Sequence, residues 1–118
     1  MPREPEAWVS QIRKGLVEFA VLALLAGRER YGTEIVESLA IHPGLAISAG
    51  TVYPLLSRLK KAGFVDSSWS ESPVGPPRKY YRLTDAGAAE LTAMKRAWSD
   101  VTDAVDTLLK GGAPNARP

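Results

Sequence analysis

The chain has 118 residues, 45% hydrophobic and 24% charged, enough for one modest core and too little for two. Fifteen Lys and Arg against 13 Asp and Glu leave a formal charge of +2, so a case for a polyanionic partner rests on where the bases lie. Without cysteine and with one histidine it has no disulfide frame, thiolate metal site or cysteine nucleophile, and its longest apolar stretch, FAVLALLA at 19–26, is too short to cross a bilayer.

The first residues, MPREPEAWVSQ, lack the basic head and apolar core of a secretory signal, so a cytoplasmic chain is expected, with no membrane partner. From about Trp8 to Ala26 the sequence reads as a helix. Ile12, Leu16, Phe19, Ala20 and Ala23 form one apolar stripe, and Val17, Val21, Leu24 and Leu25 form an adjoining one. An arc this wide suits two partners: the chain's own core and a second subunit, with Leu16 and Phe19 at the subunit contact. Gly27 is expected to end the helix in the left-handed position after its C-cap. A shorter helix follows over Tyr31–Ala40, with Ile35, Val36 and Leu39 inward, and Pro43 and Gly44 force a turn in IHPGLAIS.

Ser48 is placed to cap a third helix, AGTVYPLLSRLKKAGF, whose Val52, Leu55, Leu56 and Leu59 make an inward stripe. The other face carries Thr51, Pro54, Ser57, Arg58 and Lys61, small or basic and without an acid, which suits approach to an anion. Lys60 and Lys61 also suit the C-terminal end of the helix dipole, and Gly63 sits where the chain should turn left-handed. Pro54 removes one backbone donor and should loosen the first turn without breaking the helix.

Two extended runs come next, FVDSSWSE and KYYRLT, joined by SPVGPP as a hairpin with a proline-rich tip. Alternation places Val65 and Trp69 on one face of the first strand, Trp69 reading as core. On the second, Tyr81 and Leu83 face inward while Arg78, Tyr80 and Arg82 face away, and Lys79 lies near the tip. Thr84 then caps a long helix to about Lys110, with Gly87 where a full capping box has Glu or Gln. Leu91, Met94, Trp98, Val101, Val105 and Leu108 recur at alternating spacings of three and four, a heptad seam with more to bury than its own small domain can cover. A partner helix, hence a homodimer, is expected. The tail GGAPNARP has no apolar anchor and reads as disordered.

Helix, helix, turn, helix, hairpin, long helix is the order of a mainly α winged helix-turn-helix with a small β-hairpin and a C-terminal dimerisation helix. Its expected division is 1–84 for DNA binding, 85–110 for dimerisation and 111–118 for the tail. In that architecture the third helix enters the major groove of double-stranded DNA and the wing lies along the backbone. Arg78 and Lys79 would supply cations, Tyr80 a hydroxyl, and Thr51, Pro54 and Ser57 a close approach to base edges.

The stretches LLAGRERYGTEIVESL, ISAGTVYPLLSRLKKAGFV and GPPRKYYRLTDAG together resemble the PadR-like transcriptional regulators over about Val21–Gly87. The resemblance implies a bacterial homodimeric regulator, usually a repressor at an inverted-repeat operator. It matches Tyr31 and Gly32 to the opening of the second helix, Thr51, Tyr53 and Pro54 to the recognition helix, and Arg78 through Tyr81 to the wing. The short C-terminal region resembles the small subfamily with multidrug-responsive lactococcal members, which implies a pore at the dimer centre where Trp98 stacks on a planar aromatic ligand. Glu18 and Leu22 would fall along that pore and Trp8 at its edge.

Trp98 on a heptad seam is equally a packing residue, and Trp8 a cover for the dimer contact. Tyr53 can lay its ring on the core and still offer its hydroxyl to phosphate, and Tyr31 is similar. Arg13, Lys14, Arg28 and Arg30 read as solvated surface, with Arg28 and Arg30 able to approach the DNA backbone, and His42 as a surface turn residue. No nucleophile with a base and no metal cluster is present in the pattern, so neither an enzyme nor a cofactor is expected. A winged helix can also serve protein interaction, and the retained Arg58, Lys61, Arg78 and Lys79 favour DNA instead.

Overall fold

A computed structural model describes the backbone of residues 5–111 and the side chains of residue 12 and residues 15–111. The expectations for Trp8 and for the tail beyond Gly111 lie outside that description. The elements run α1 (Pro5–Gly27), β1 (Arg30–Tyr31), α2 (Gly32–Ala40), a 3₁₀ turn (Pro43–Leu45), α3 (Ala49–Lys61), β2 (Val65–Ser70), β3 (Arg78–Leu83) and α4 (Asp85–Leu109). The mainly helical winged architecture with a long C-terminal helix is present, with one strand more than the sequence suggested.

Val21, Leu22 and Leu25 carry α1 into the core, where they meet Ile35 and Leu39 of α2 and the inward stripe of α3. Gly27 does not take the left-handed role assigned to it. It is the last helical residue, and its φ is not positive. The end of α1 is satisfied from outside: Arg30 Nε donates to the Leu24 carbonyl at 3.2 Å, covering an acceptor that has no partner within the helix. The same arginine opens β1, which pairs antiparallel with β3 through Arg30↔Tyr81 and Tyr31↔Tyr80. Tyr31 is therefore a strand residue and the N-cap of α2, not its first helical residue.

Ser48 occupies the N-cap of α3 through its backbone. Its carbonyl accepts from Thr51 and Val52 N–H at 3.0 and 3.1 Å, while its side chain makes no capping bond. Pro54 lies within α3, which continues through it. The helix ends as its sequence suggested. Gly63 has φ +84°, its N–H bonds to the Lys60 carbonyl and the Phe64 N–H to the Leu59 carbonyl, the paired bonds of a Schellman motif.

The sheet order is β1-β3-β2, and the β2–β3 register runs from Val65↔Leu83 to Ser70↔Arg78. Thr84 ties three elements together. Its Oγ1 accepts from Gly87 N–H at 3.0 Å and donates to the Gly63 carbonyl at 2.6 Å, and its N–H bonds to the Phe64 carbonyl at 3.1 Å. Gly87 is buried so closely that a Cβ would stand 2.0 Å from the Phe64 carbonyl oxygen, which explains why no Glu or Gln completes the capping box. Leu91 enters the core one turn later. Beyond Met94 the apolar seam of α4 is exposed.

Candidate nucleic-acid interface

Burial of Val52, Leu55, Leu56 and Leu59 sets the rotation of α3 about its axis. That rotation leaves Thr51, Tyr53, Pro54, Ser57, Arg58 and Lys61 exposed on one side, together with Ser48 just before the helix. No Asp or Glu lies in the helix, and Arg58, Lys60 and Lys61 fill its last turn. The resulting face is cationic at one end and small and hydroxyl-bearing at the other, with Ser48 Oγ and Thr51 Oγ1 at 3.5 Å.

The wing is organised around aromatic rings. The Arg78 guanidinium lies over the Tyr31 ring at 4.4 Å, and Tyr80 meets Tyr31 edge-on with centroids 5.5 Å apart. On the opposite sheet face Lys79 Nζ stands 5.9 Å from the Trp69 ring and 5.8 Å from the Tyr81 ring. Lys79 is thus half-buried along rings instead of free at the tip, and Arg82 pairs with Asp66 across the strands at 3.3 Å. Burial, and secondarily Tyr53, raise the Tyr81 pKa above its ordinary value, so its hydroxyl stays neutral.

Tyr53 leans on the start of α2. A Cβ at Gly32 would meet its ring at 2.4 Å, so the glycine makes room for the tyrosine. Tyr31, Tyr53, Arg78, Lys79 and Tyr81 consequently border a single cleft between α3 and the wing. Arg28 is exposed as expected, whereas Arg30 departs from the solvated reading: both pair with Glu34, Arg30 at 3.9 Å, and Arg30 is half-buried. Trp69 also departs from expectation: it shares the core-facing side of β2 with Val65 yet is 70% exposed, because the hairpin outruns the core.

A second surface runs along α1 and α4. Ile12, Leu16, Phe19, Met94, Trp98 and Val101 line an open apolar groove of about 340 Å³. The Phe19 and Trp98 rings meet at 6.0 Å with a 52° tilt. Trp98, Val101, Val105 and Leu108 are all exposed along α4. Two residues expected near this surface are elsewhere: Leu22 is fully buried in the chain's own core and cannot line a pore, and Leu91 packs in that core instead of against a partner. Glu18 is half-buried on α1.

Three packed helices, a β-wing and an acid-free helix face beside it define a winged helix-turn-helix protein. The model of the transcriptional regulator PadR-like family matches residues 21–93, and the chain belongs to that family of DNA-binding transcriptional regulators. It is 37% identical to the PadR family regulator of Eggerthella lenta, whose structure superposes with a TM-score of 0.81 over 91% of this chain and 93% of that one. The PadR-like regulator of Bacillus cereus is also 37% identical, with a TM-score of 0.78 over 86% of this chain and 98% of that one. A transcriptional regulator of Mycobacterium tuberculosis, Rv3488, is 33% identical over 91 residues, 77% of this chain and 83% of its own. Among the described residues no helix is long and apolar enough to cross a membrane, and no cluster of metal-ligating side chains occurs.

Sequence reasoning missed three participants in this arrangement. Strand β1 is two residues long, too short for alternation to register. Arg30 carries no local mark of its capping role, which joins residues six apart around a turn. The exposure of Trp69 was signalled only by its nearness to the proline-rich tip.

Proposed function

We propose that the protein is a homodimeric repressor that binds an inverted-repeat operator, with α3 in the major groove and the wing on the adjoining backbone. The observation that carries this reading is the acid-free exposed face of α3 set beside the Arg78 and Lys79 strand. In this reading Thr51, Pro54 and Ser57 approach base edges, and Ser48, Tyr53, Arg58 and Lys61 meet phosphates. Arg78, Lys79 and Tyr80 hold the backbone on the wing side, with Tyr31 behind them. Residues 1–84 serve DNA binding and residues 85–110 pair two copies.

The exposed seam of α4 and the groove against α1 support pairing, since Trp98, Val101, Val105 and Leu108 would otherwise remain in water. Pairing would hold two recognition helices about 34 Å apart, one turn of DNA. Trp98, 46% exposed beside Phe19, offers a ring on which a planar aromatic effector could stack at the dimer centre, changing that separation and releasing DNA.

The test is a gel-shift titration on the DNA upstream of the protein's own gene, with excess competitor, at two salt concentrations. A discrete competitor-resistant complex that weakens with salt supports the reading, because each neutralised phosphate releases counterions. If neither this DNA nor duplexes selected from random sequence form such a complex, the fold serves another partner. For the effector, quenching of tryptophan emission by a planar cationic dye should vanish in Trp98→Ala, and quenching that survives there removes the role.

A further inference from the structure

The cleft between α3 and the wing contains an unexplained side chain. Along the core-facing side of β2, Val65 is buried, Ser67 half-buried and Trp69 70% exposed, so this face leaves the core with its largest apolar group outermost. A lone indole in water at the end of a hairpin contributes nothing to the core. Three features say what it faces. The cleft it borders, about 440 Å³, is shared with Tyr53 of α3 and so continues the recognition-helix surface. None of the cleft's described lining residues is acidic, while Arg78 and Lys79 both belong to it. The Lys79 ammonium stands 5.9 Å from the Trp69 ring and 5.8 Å from the Tyr81 ring, so a cation and two aromatic faces meet in this cleft.

An anionic strand with an apolar edge fits this lining, and the sugar–phosphate backbone of DNA has both parts. We propose that Trp69 is a DNA-contacting residue: its ring packs against a deoxyribose of the strand seated in this cleft, opposite Tyr53, while Lys79 meets the adjoining phosphate. The proposal rests on the DNA-binding reading above and adds an uncharged contact to the cationic ones. Sequence alternation alone had placed this tryptophan in the core.

Charge separates the two kinds of contact. Trp69→Ala should weaken binding to a duplex selected from random sequence by about tenfold, the scale of one aromatic contact with a nucleotide. It should leave the slope of log affinity against log salt as in the wild type, because no ion is lost. Lys79→Ala should lower that slope by about one. Protein labelled with 5-fluorotryptophan gives an independent reading, with the Trp69 fluorine resonance assigned by its absence in Trp69→Phe. That resonance should shift on adding the duplex.

Equal affinity of Trp69→Ala and wild type, or a Trp69 resonance unmoved by saturating duplex, overturns the proposal and leaves the DNA reading intact. A resonance that moves with protein concentration in the absence of DNA marks a contact between copies and overturns it as well. A wild-type protein that forms no salt-sensitive complex removes both.

Discussion

The Arg78 guanidinium sits 4.4 Å above the centre of the Tyr31 ring, joining the first residue of β3 to the N-cap of α2. A long, mobile cation at the tip end of the wing is thereby held by an aromatic face and would lose less freedom on meeting the phosphate proposed for it.

In Tyr31→Leu this support is lost, whereas Tyr31→Phe keeps the ring. We expect Tyr31→Leu to weaken DNA binding and Tyr31→Phe to stay near wild type. A double-mutant cycle with Arg78→Ala should show a coupling of about 0.5–1 kcal/mol. Strictly additive losses would mean that the two side chains act separately.

Gly87 stands against the Phe64 carbonyl where a Cβ would be 2.0 Å from the oxygen. Gly87→Ala must move the start of α4 away from the β2 entrance, disturbing the Thr84 bonds as it does so. A loss of about 2 kcal/mol or more in urea unfolding is expected despite the helix-favouring replacement. A stabilised variant would show that α4 shifts freely.

The hydrogen bond from Arg28 holds the Glu34 carboxyl below its ordinary value of 4.5, with partial burial opposing and the charges of Arg28 and Arg30 adding to the effect. A carboxyl lowered on folding contributes stability that is complete above 4.5 and disappears as pH falls through its folded value. Glu34→Gln should therefore melt lower than wild type at neutral pH, and the two should converge in acid. A constant difference across that range would show that the loss is not electrostatic.

Val105 is 46% exposed on α4, with the still more exposed Leu108 three residues on. Val105→Asp adds a charge to the seam without touching the chain's own core. Sedimentation equilibrium should show the wild type as a dimer and the variant shifted towards monomer. An unchanged mass in the variant would place the contact between copies elsewhere.

Much of the fold is legible because its signals are local. The stripe through Val52, Leu55, Leu56 and Leu59 sets α3 and its exposed face, Thr84 announces α4, and Gly63 ends α3 as its position suggests. The candidate site was partly legible for the same reason. Once the inward residues of α3 are known, Thr51, Ser57, Arg58 and Lys61 must face outward.

By itself, then, the sequence determined the order of the four helices and the hairpin, the faces of α3 and the wing, and the heptad seam of α4, since each follows from periodicity or caps within a few residues. Only the tertiary structure decided where the core stops. Leu22 and Leu91 are drawn inside it while Trp69, on a core-facing side, is left out, and the end of α1 is closed by Arg30 instead of Gly27. Periodicity assigns a side chain to a face, but its burial and partners depend on which elements from distant parts of the chain pack over that face.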